Sequence, residues 1–353
     1  NTASFGDIKF TKPGEYTFKV TEVNGNISGV DYDLEERIIT VKAVDNNDGT
    51  MDISVEGNDA LTFENVYRTK DVELEGKTNL NITKVLEGRN WNDTDSFTFN
   101  LKASDEVTKA AVKAGKIELP EETTLTLTKA LQTNNFCDIT FKEPGTYTFE
   151  ISETKGNIER VGYDSHVTTI NVEVTDNNEG ELVVATPTVT GEKTFTNTYT
   201  PASVTAVLKG TKVMSGRDLK DTDNFEFTIE GINGAPMPQV TTVKNNKDDI
   251  SFAPITYNKA GIYEYTIRET GGSAASVTND SGTVHATVKV TYDMDTGILM
   301  PNVTYVKEGG NGEGFTFTNK YIAVPITLAN GFAATKTVNP TDGNNYELKG
   351  EEF

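Results

Sequence analysis

Residues 147–153 read Tyr147-Thr148-Phe149-Glu150-Ile151-Ser152-Glu153. Side chains on a strand alternate between faces, so Tyr147, Phe149, Ile151 and Glu153 share one. Three of these four are apolar, which makes that face the core face and puts a carboxyl group at its end. An ionised carboxylate buried alone is very costly, so the acid is expected to be protonated, paired or both. The same row recurs as Tyr16-Thr-Phe-Lys-Val-Thr-Glu22 and as Tyr263-Glu-Tyr-Thr-Ile-Arg-Glu269, each just after a turn glycine (Gly14, Gly145, Gly261).

A repeat of this length decides the fold before any single element does. Each copy continues to an acidic turn ending in glycine (45–49, 176–180 and 293–297), where the positive φ open to glycine suits a hairpin. Each then closes on a strand: Phe63-Glu-Asn65-Val-Tyr67, Phe195-Thr-Asn197-Thr-Tyr199 and Phe317-Thr-Asn319-Lys-Tyr321. Alternation sets the Phe, Asn and Tyr of each on one face. Opening strands carry a lysine on their apolar face: 80–86 around Lys84, 208–214 around Lys212 and 332–338 around Lys336. The order of these marks divides the chain. Residues 1–67 are the later part of a module without its lysine strand. Residues 68–200 and 201–321 are complete modules running Lys, Glu, Asn. Residues 322–353 are the lysine-strand region of a further module.

Helical periodicity is nearly missing; one helix is expected over 104–114, started by Ser104 and Asp105 and stopped by Gly115. The rest is Thr-, Val-, Phe- and Tyr-rich strand punctuated by Gly, Asn and Asp, which predicts an all-β class of tandem sandwich modules. With 32 basic against 53 acidic residues the net charge is −21, which argues against nucleic acid and anionic membrane as partners. A single cysteine, Cys137, rules out a disulfide framework within the chain. No apolar run reaches membrane-spanning length, so membrane insertion is not expected.

Taken one at a time, the core-facing polar residues have ordinary explanations. A lysine snorkels to the surface, a glutamate pairs with it, and an asparagine satisfies backbone groups. Their recurrence as a set points to chemistry instead. Burial lowers a lysine's pKa and yields a neutral amine, while it raises that of a glutamic acid and keeps it protonated. Such an acid, bonded to an Asn carboxamide, polarises the carbonyl and shuttles protons as the amine attacks and ammonia leaves. Fixed proximity supplies roughly 7–11 kcal/mol in well-oriented intramolecular cases. The reaction runs once per molecule, so the chain is not an enzyme in the turnover sense, and no cofactor or metal is required.

Through TKVLEGR (83–89), PGTYTFEISE (144–153) and FTNTY (195–199), the sequence resembles the pilin isopeptide-linkage domain of Gram-positive surface fibres, the streptococcal pilin repeat. The resemblance spans essentially the whole chain. It implies Ig-like β-sandwich modules stacked head to tail, at an extracellular bacterial surface or cell wall. It further implies Lys84–Asn197 bonds promoted by Glu153 and Lys212–Asn319 bonds promoted by Glu269. Glu22 and Asn65 match the acid and acceptor of the first copy, and Lys336 the nucleophile of the last; within one chain these lack their complements. The implied partners are neighbouring modules, with two readings of the ends left open: trimming from a longer array, or complementation between identical chains in a filament. The third copy departs in having Gly210 where an apolar residue precedes the lysine. Pull along such a fibre enters a module near its lysine and leaves near its asparagine, so the covalent bond carries the tension.

The remaining candidates have plainer roles. Cys137 falls on the face of Ile139 and Phe141 and is expected to be a small core filler. His166 and His285 are expected in strands, without the Asp, Ser or Cys partners of a triad or zinc site. The acidic turns lack EF-hand spacing and are expected to be hairpin turns. The alternative function is an adhesin module that binds host protein or glycan through loops such as 231–250.

Overall fold

The computed structural model describes residues 2–57, 59, 61–335 and 343. Contacts cluster into two compact units, Asn1–Pro201 with Asp293–Gly297, and Ala202–Tyr292 with Ile298–Phe353. Strands dominate both. Among the described residues the helices are one turn at Gly76–Asn79 and the segment Glu106–Lys113. The latter falls inside the expected range for the expected reasons. Asp105 caps it by accepting from the Thr108 amide at 2.7 Å, and Gly115 leaves it at φ +72°. No helix among the described residues is long and apolar enough to cross a membrane.

Within 68–200, one sheet runs in the order Thr124–Thr128, Ser96–Ala103, Gly145–Glu153, Val167–Asp176 and Leu182–Val184. The other runs Thr133–Asn135, Asn81–Glu87, Thr194–Tyr199 and Val161–Gly162. Their inner faces enclose one core that includes Ile82, Phe97, Phe99, Phe149, Ile151 and Phe195, all at most 1% exposed. The all-β sandwich is therefore built by the alternation read from the sequence. Almost every ladder is antiparallel, but the opening strand Asn81–Glu87 and the closing strand Thr194–Tyr199 pair in parallel. Parallel neighbours cannot be joined by a tight turn, so the rest of the module lies between them in sequence.

The second unit repeats the plan. One sheet has Thr242–Lys244, Glu226–Gly231, Gly261–Gly271, Thr283–Asp293 and Ile298–Glu308; the other has Asp249–Ser251, Lys209–Ser215, Thr316–Tyr321 and Val277–Thr278. Lys209–Ser215 and Thr316–Tyr321 are again parallel. Gly210 stands where the first unit has the buried Ile82, and a Cβ there would lie 2.3 Å from the Phe315 ring. Phe315, 6% exposed, fills the space an apolar side chain would take, so the departure at Gly210 is compensated across the sheet.

Among the described residues of 2–67 there is a three-stranded sheet, Gly14–Val20, Arg37–Asp45 and Met51–Glu56, with only the short pair Val30–Asp31 and Val66–Tyr67 besides. The expected closing strand 63–67 is thus reduced to its last two residues. Val41 and Ala43 are the buried apolar residues of this segment. Phe18, Val20, Ile39, Val41 and Val55 line an open apolar groove on the face that ends in Glu22.

The acidic turns are hairpin turns. Asp45, Asp176 and Asp293 each accept, through Oδ1, the amide of the residue two positions on, and Gly49, Gly180 and Gly297 take φ of +87°, +80° and +70°. Cys137 is a correction: it is exposed, while Phe136 beside it is buried. The strand that sequence alternation extended back to it covers only Ile139–Phe141. Residues 136–138 leave the ladder to pass close to Gly76, whose amide donates to Asp138 Oδ1 at 2.7 Å. An added Cβ on Gly76 would stand 2.1 Å from the Phe136 carbonyl oxygen.

Candidate functional site

Lys84 lies opposite Phe195 in the parallel ladder, and Asn197 lies opposite Leu86. Both side chains therefore point inward from adjacent strands of one sheet. Glu153 ends its strand on the other sheet, opposite Phe99, and meets them across the core. Its two oxygens are divided between them: Lys84 Nζ donates to Oε2 at 2.8 Å and Asn197 Nδ2 donates to Oε1 at 2.7 Å. The lysine and glutamate side chains are fully buried, and Asn197 is 0% exposed.

The second unit reproduces the set. Lys212 Nζ donates to Glu269 Oε2 at 3.0 Å, and Asn319 Nδ2 to Glu269 Oε1 at 2.6 Å. Lys212 also reaches the Phe317 carbonyl at 3.3 Å. In the first copy Asn65 Nδ2 donates to Glu22 Oε1 at 2.6 Å. Glu22 Oε2, the oxygen that takes a lysine in the other two copies, is buried with no hydrogen-bond partner among the described residues. Asn65 itself is exposed. Lys336 lies outside the described residues.

Aromatic rings surround each amine. Lys84 Nζ sits 5.0 Å from the Phe97 ring centre and 6.0 Å from that of Phe99; for Lys212 the distances to Phe225 and Phe227 are 4.7 and 6.0 Å. Ring faces favour a cation by about 0.5–2 kcal/mol. Removing an ion from water costs several kcal/mol, so desolvation wins. Burial accordingly pushes the pKa of Lys84 and Lys212 down, against the raising effect of the neighbouring carboxyls. Burial likewise pushes Glu153 and Glu269 up, against the lowering effect of their lysine and asparagine partners. Both shifts favour the neutral pair, amine beside carboxylic acid.

The carboxamide oxygen faces elsewhere. Asn197 Oδ1 accepts the backbone N–H of Asp164 at 2.7 Å, Asn319 Oδ1 that of Asp280 at 2.8 Å, and Asn65 Oδ1 that of Asp33 at 2.9 Å. A backbone N–H is a donor only, so the oxygen must face it and the amide nitrogen must face the acid. The glutamate thus touches the group that would leave rather than the carbonyl it was expected to polarise.

The chain matches the family model described as FctA, Spy0128-like isopeptide containing domain, over residues 1–68, 80–200 and 208–322. The chain belongs to this isopeptide-containing pilin domain family. Solved structures similar to this pilin-domain chain include the major pilin of Streptococcus pyogenes, 16% identical over 70% of this chain and 99% of that one, with a TM-score of 0.28. Two B repeat units of the collagen binding protein of Staphylococcus aureus match at 13% identity over 88% of this chain and 69% of theirs, with a TM-score of 0.24. The minor pilin GBS52 of Streptococcus agalactiae matches at 11% identity over 71% and 99%, with a TM-score of 0.18. No curated protein matches the chain.

Sequence reading missed Asp33, Asp164 and Asp280. A signal existed for two of them, since Tyr32-Asp33 and Tyr163-Asp164 recur at matching places. His166 is a further correction, because it does have an acidic partner: its Nδ1 lies 2.7 Å from Asp164 Oδ1. The two residues are neighbours in an irregular segment that the strand reading did not resolve. His285 lies 3.5 Å from Glu308.

Proposed function

We propose that the chain is part of an extracellular pilus-like shaft of the Gram-positive surface, whose modules lock themselves with Lys–Asn isopeptide bonds. The complete modules are 68–200 and 201–321, the segments that hold all three residue types. Residues 1–67 hold Glu22 with Asn65, and 322–353 hold Lys336. The observation that carries this reading is one carboxyl group holding a buried amine on one oxygen and a buried carboxamide nitrogen on the other, twice over.

The chemistry follows from that contact. The neutral amine of Lys84 attacks Asn197 Cγ, the Nζ–Cγ bond forms and the Cγ–Nδ2 bond breaks. Glu153 accepts a proton from the attacking nitrogen on Oε2 and returns one to the departing nitrogen from Oε1, so ammonia leaves and the acid is restored. Lys212, Asn319 and Glu269 act in the same way. Each glutamate is a catalyst used once. Neighbouring modules are the natural partners, and the Glu22 oxygen that has no hydrogen-bond partner among the described residues suits a lysine such as Lys336 of another copy.

Intact-mass spectrometry tests the reading: the chain should weigh less than its sequence by two ammonia molecules, and an unreduced mass refutes it. The adhesin alternative predicts tight binding of a host protein or glycan by the full chain, which a shaft lacks.

A further inference from the structure

Three copies of the acid site share a second construction behind the carboxamide. In each, an aspartate carboxylate accepts the backbone N–H of the residue just before the asparagine: Glu64 to Asp33 at 3.4 Å, Thr196 to Asp164 at 2.7 Å, and Thr318 to Asp280 at 2.7 Å. The same aspartate's own N–H is the donor to the asparagine Oδ1. Each carboxylate also holds a basic group: Arg37 Nη2 at 2.7 Å, the His166 ring at 2.7 Å, and Lys307 Nζ at 2.5 Å.

The basic groups come from different places in the chain, yet each lies on the phenylalanine two residues before the asparagine. Arg37 sits 5.1 Å above Phe63, the His166 ring stacks on Phe195 at 4.2 Å, and Lys307 sits 4.7 Å above Phe317. Three unrelated residues therefore serve one geometric end, which is to fix the aspartate against the closing strand. Burial raises the pKa of Asp164 and of Asp280, but the hydrogen bonds they accept hold both below the usual carboxylate range. A charged aspartate thus stands beside a glutamic acid pushed the other way, and the two carboxyls have separate tasks.

We infer that Asp164 and Asp280 are positioning residues for isopeptide formation, each holding its backbone N–H against the oxygen of the carboxamide under attack. This rests on the crosslinking reading above. As the Lys84 amine adds to Asn197 Cγ, the carbonyl π electrons move onto Oδ1, and they return when the Cγ–Nδ2 bond breaks and ammonia departs. Oδ1 carries the negative charge in between, and the Asp164 N–H is the donor aimed at it. Loss of one such donor slows acyl-transfer enzymes by about 10²–10³-fold.

The test follows crosslinking in both modules of the full chain, purified unfolded and then refolded to start the reaction. Peptide mapping gives the bonded fraction of each module over time, with 201–321 as internal control. Asp164→Ala should slow bonding in 68–200 by about tenfold or more relative to 201–321, while Asp164→Asn, which keeps an acceptor for the Thr196 amide, should recover part of the rate. His166→Phe keeps a ring on Phe195 and removes the base. It should slow bonding less, and it should abolish a pH dependence of the rate ratio between the two modules. That dependence is expected because His166, which faces Asp164, the Glu192 carbonyl and carboxylate, and Phe195, loses its charge as pH rises, whereas the Lys307 clamp contains no imidazole.

If Asp164→Ala folds, by circular dichroism in a Glu153→Ala background, and bonds at the unsubstituted rate, the inference is overturned. If Asp164→Ala does not fold, an unchanged rate and pH ratio in His166→Phe overturn it. Absence of any bond in the unsubstituted chain would instead sink the crosslinking reading itself.

Discussion

Lys84 and Asn197 occupy the same inner face of two adjacent parallel strands, with Lys84 opposite Phe195 and Asn197 opposite Leu86. A bond between them would join side chains of neighbouring strands in one sheet. Glu153 is the sole member of the set from the facing sheet, and its removal leaves both strands in place.

Glu153→Gln is therefore expected to keep the fold and lose the chemistry. Glutamine preserves the volume and can still accept one of the two hydrogen bonds that Glu153 accepts from Lys84 and Asn197, but it has no acid proton to pass on. Its mass should fall short of the sequence mass by one ammonia molecule, with the Lys212–Asn319 peptide still crosslinked. A second ammonia loss in this variant would show that the glutamate is dispensable.

Lys84→Met should reveal what the bond contributes to stability. The bond closes a loop of about 100 residues, and by analogy with disulfides such closure is worth roughly 4–5 kcal/mol. For a domain of this size that is a fall of about 15–20 °C in the melting transition of one module, with the other unchanged. Calorimetry would resolve the two transitions, and coincident unshifted melting would contradict the estimate.

The same variant should show the pH dependence of a buried acid. Burial holds Glu153 above its ordinary value of 4.5, and Lys84→Met leaves no lysine nitrogen beside it to oppose this. The folded state then keeps a proton that the unfolded chain releases. Its contribution to stability is fully present below pH 4.5 and is lost as pH rises through the folded value, with a slope of at most about 1.4 kcal/mol per pH unit. Urea midpoints measured from pH 4 upward should fall in Lys84→Met, and pairing it with Glu153→Gln should flatten the curve.

Glu22 Oε2 has no hydrogen-bond partner among the described residues. If Lys336 of a neighbouring copy pairs with it, concentrated protein will form SDS-resistant ladders that Lys336→Met abolishes. A single monomer band at every concentration removes that partner.

The glutamate, lysine and asparagine were legible because alternation fixes which face each occupies, and an expensive residue on a core face is conspicuous when it recurs. Cys137 was misplaced by the same rule, since alternation does not survive the irregular stretch 136–138 beside Gly76. Alkylation by a maleimide without denaturant should accordingly be complete for this exposed thiol. The clamp behind the carboxamide was hidden for another reason. Arg37, His166 and Lys307 lie at three unrelated distances from their aspartates, so no spacing announces them, and only folding brings each onto its phenylalanine. The groove over Phe18, Val20 and Ile39 and the exposure of Asn65 were not read from the sequence, because both depend on how few strands pack around that face.

The parallel pairing of opening and closing strands has one more consequence. If Lys84 is joined to Asn197 as proposed, everything between them is a closed ring that the chain enters and leaves at neighbouring points. A protease that cuts a loop of that ring once opens it without dividing the protein, because the polymer still runs through the side-chain link. Severing the chain within a module then takes a cut outside the ring, and the 145–153 and 167–176 strands could be nicked apart at their connecting loop with no fragment released.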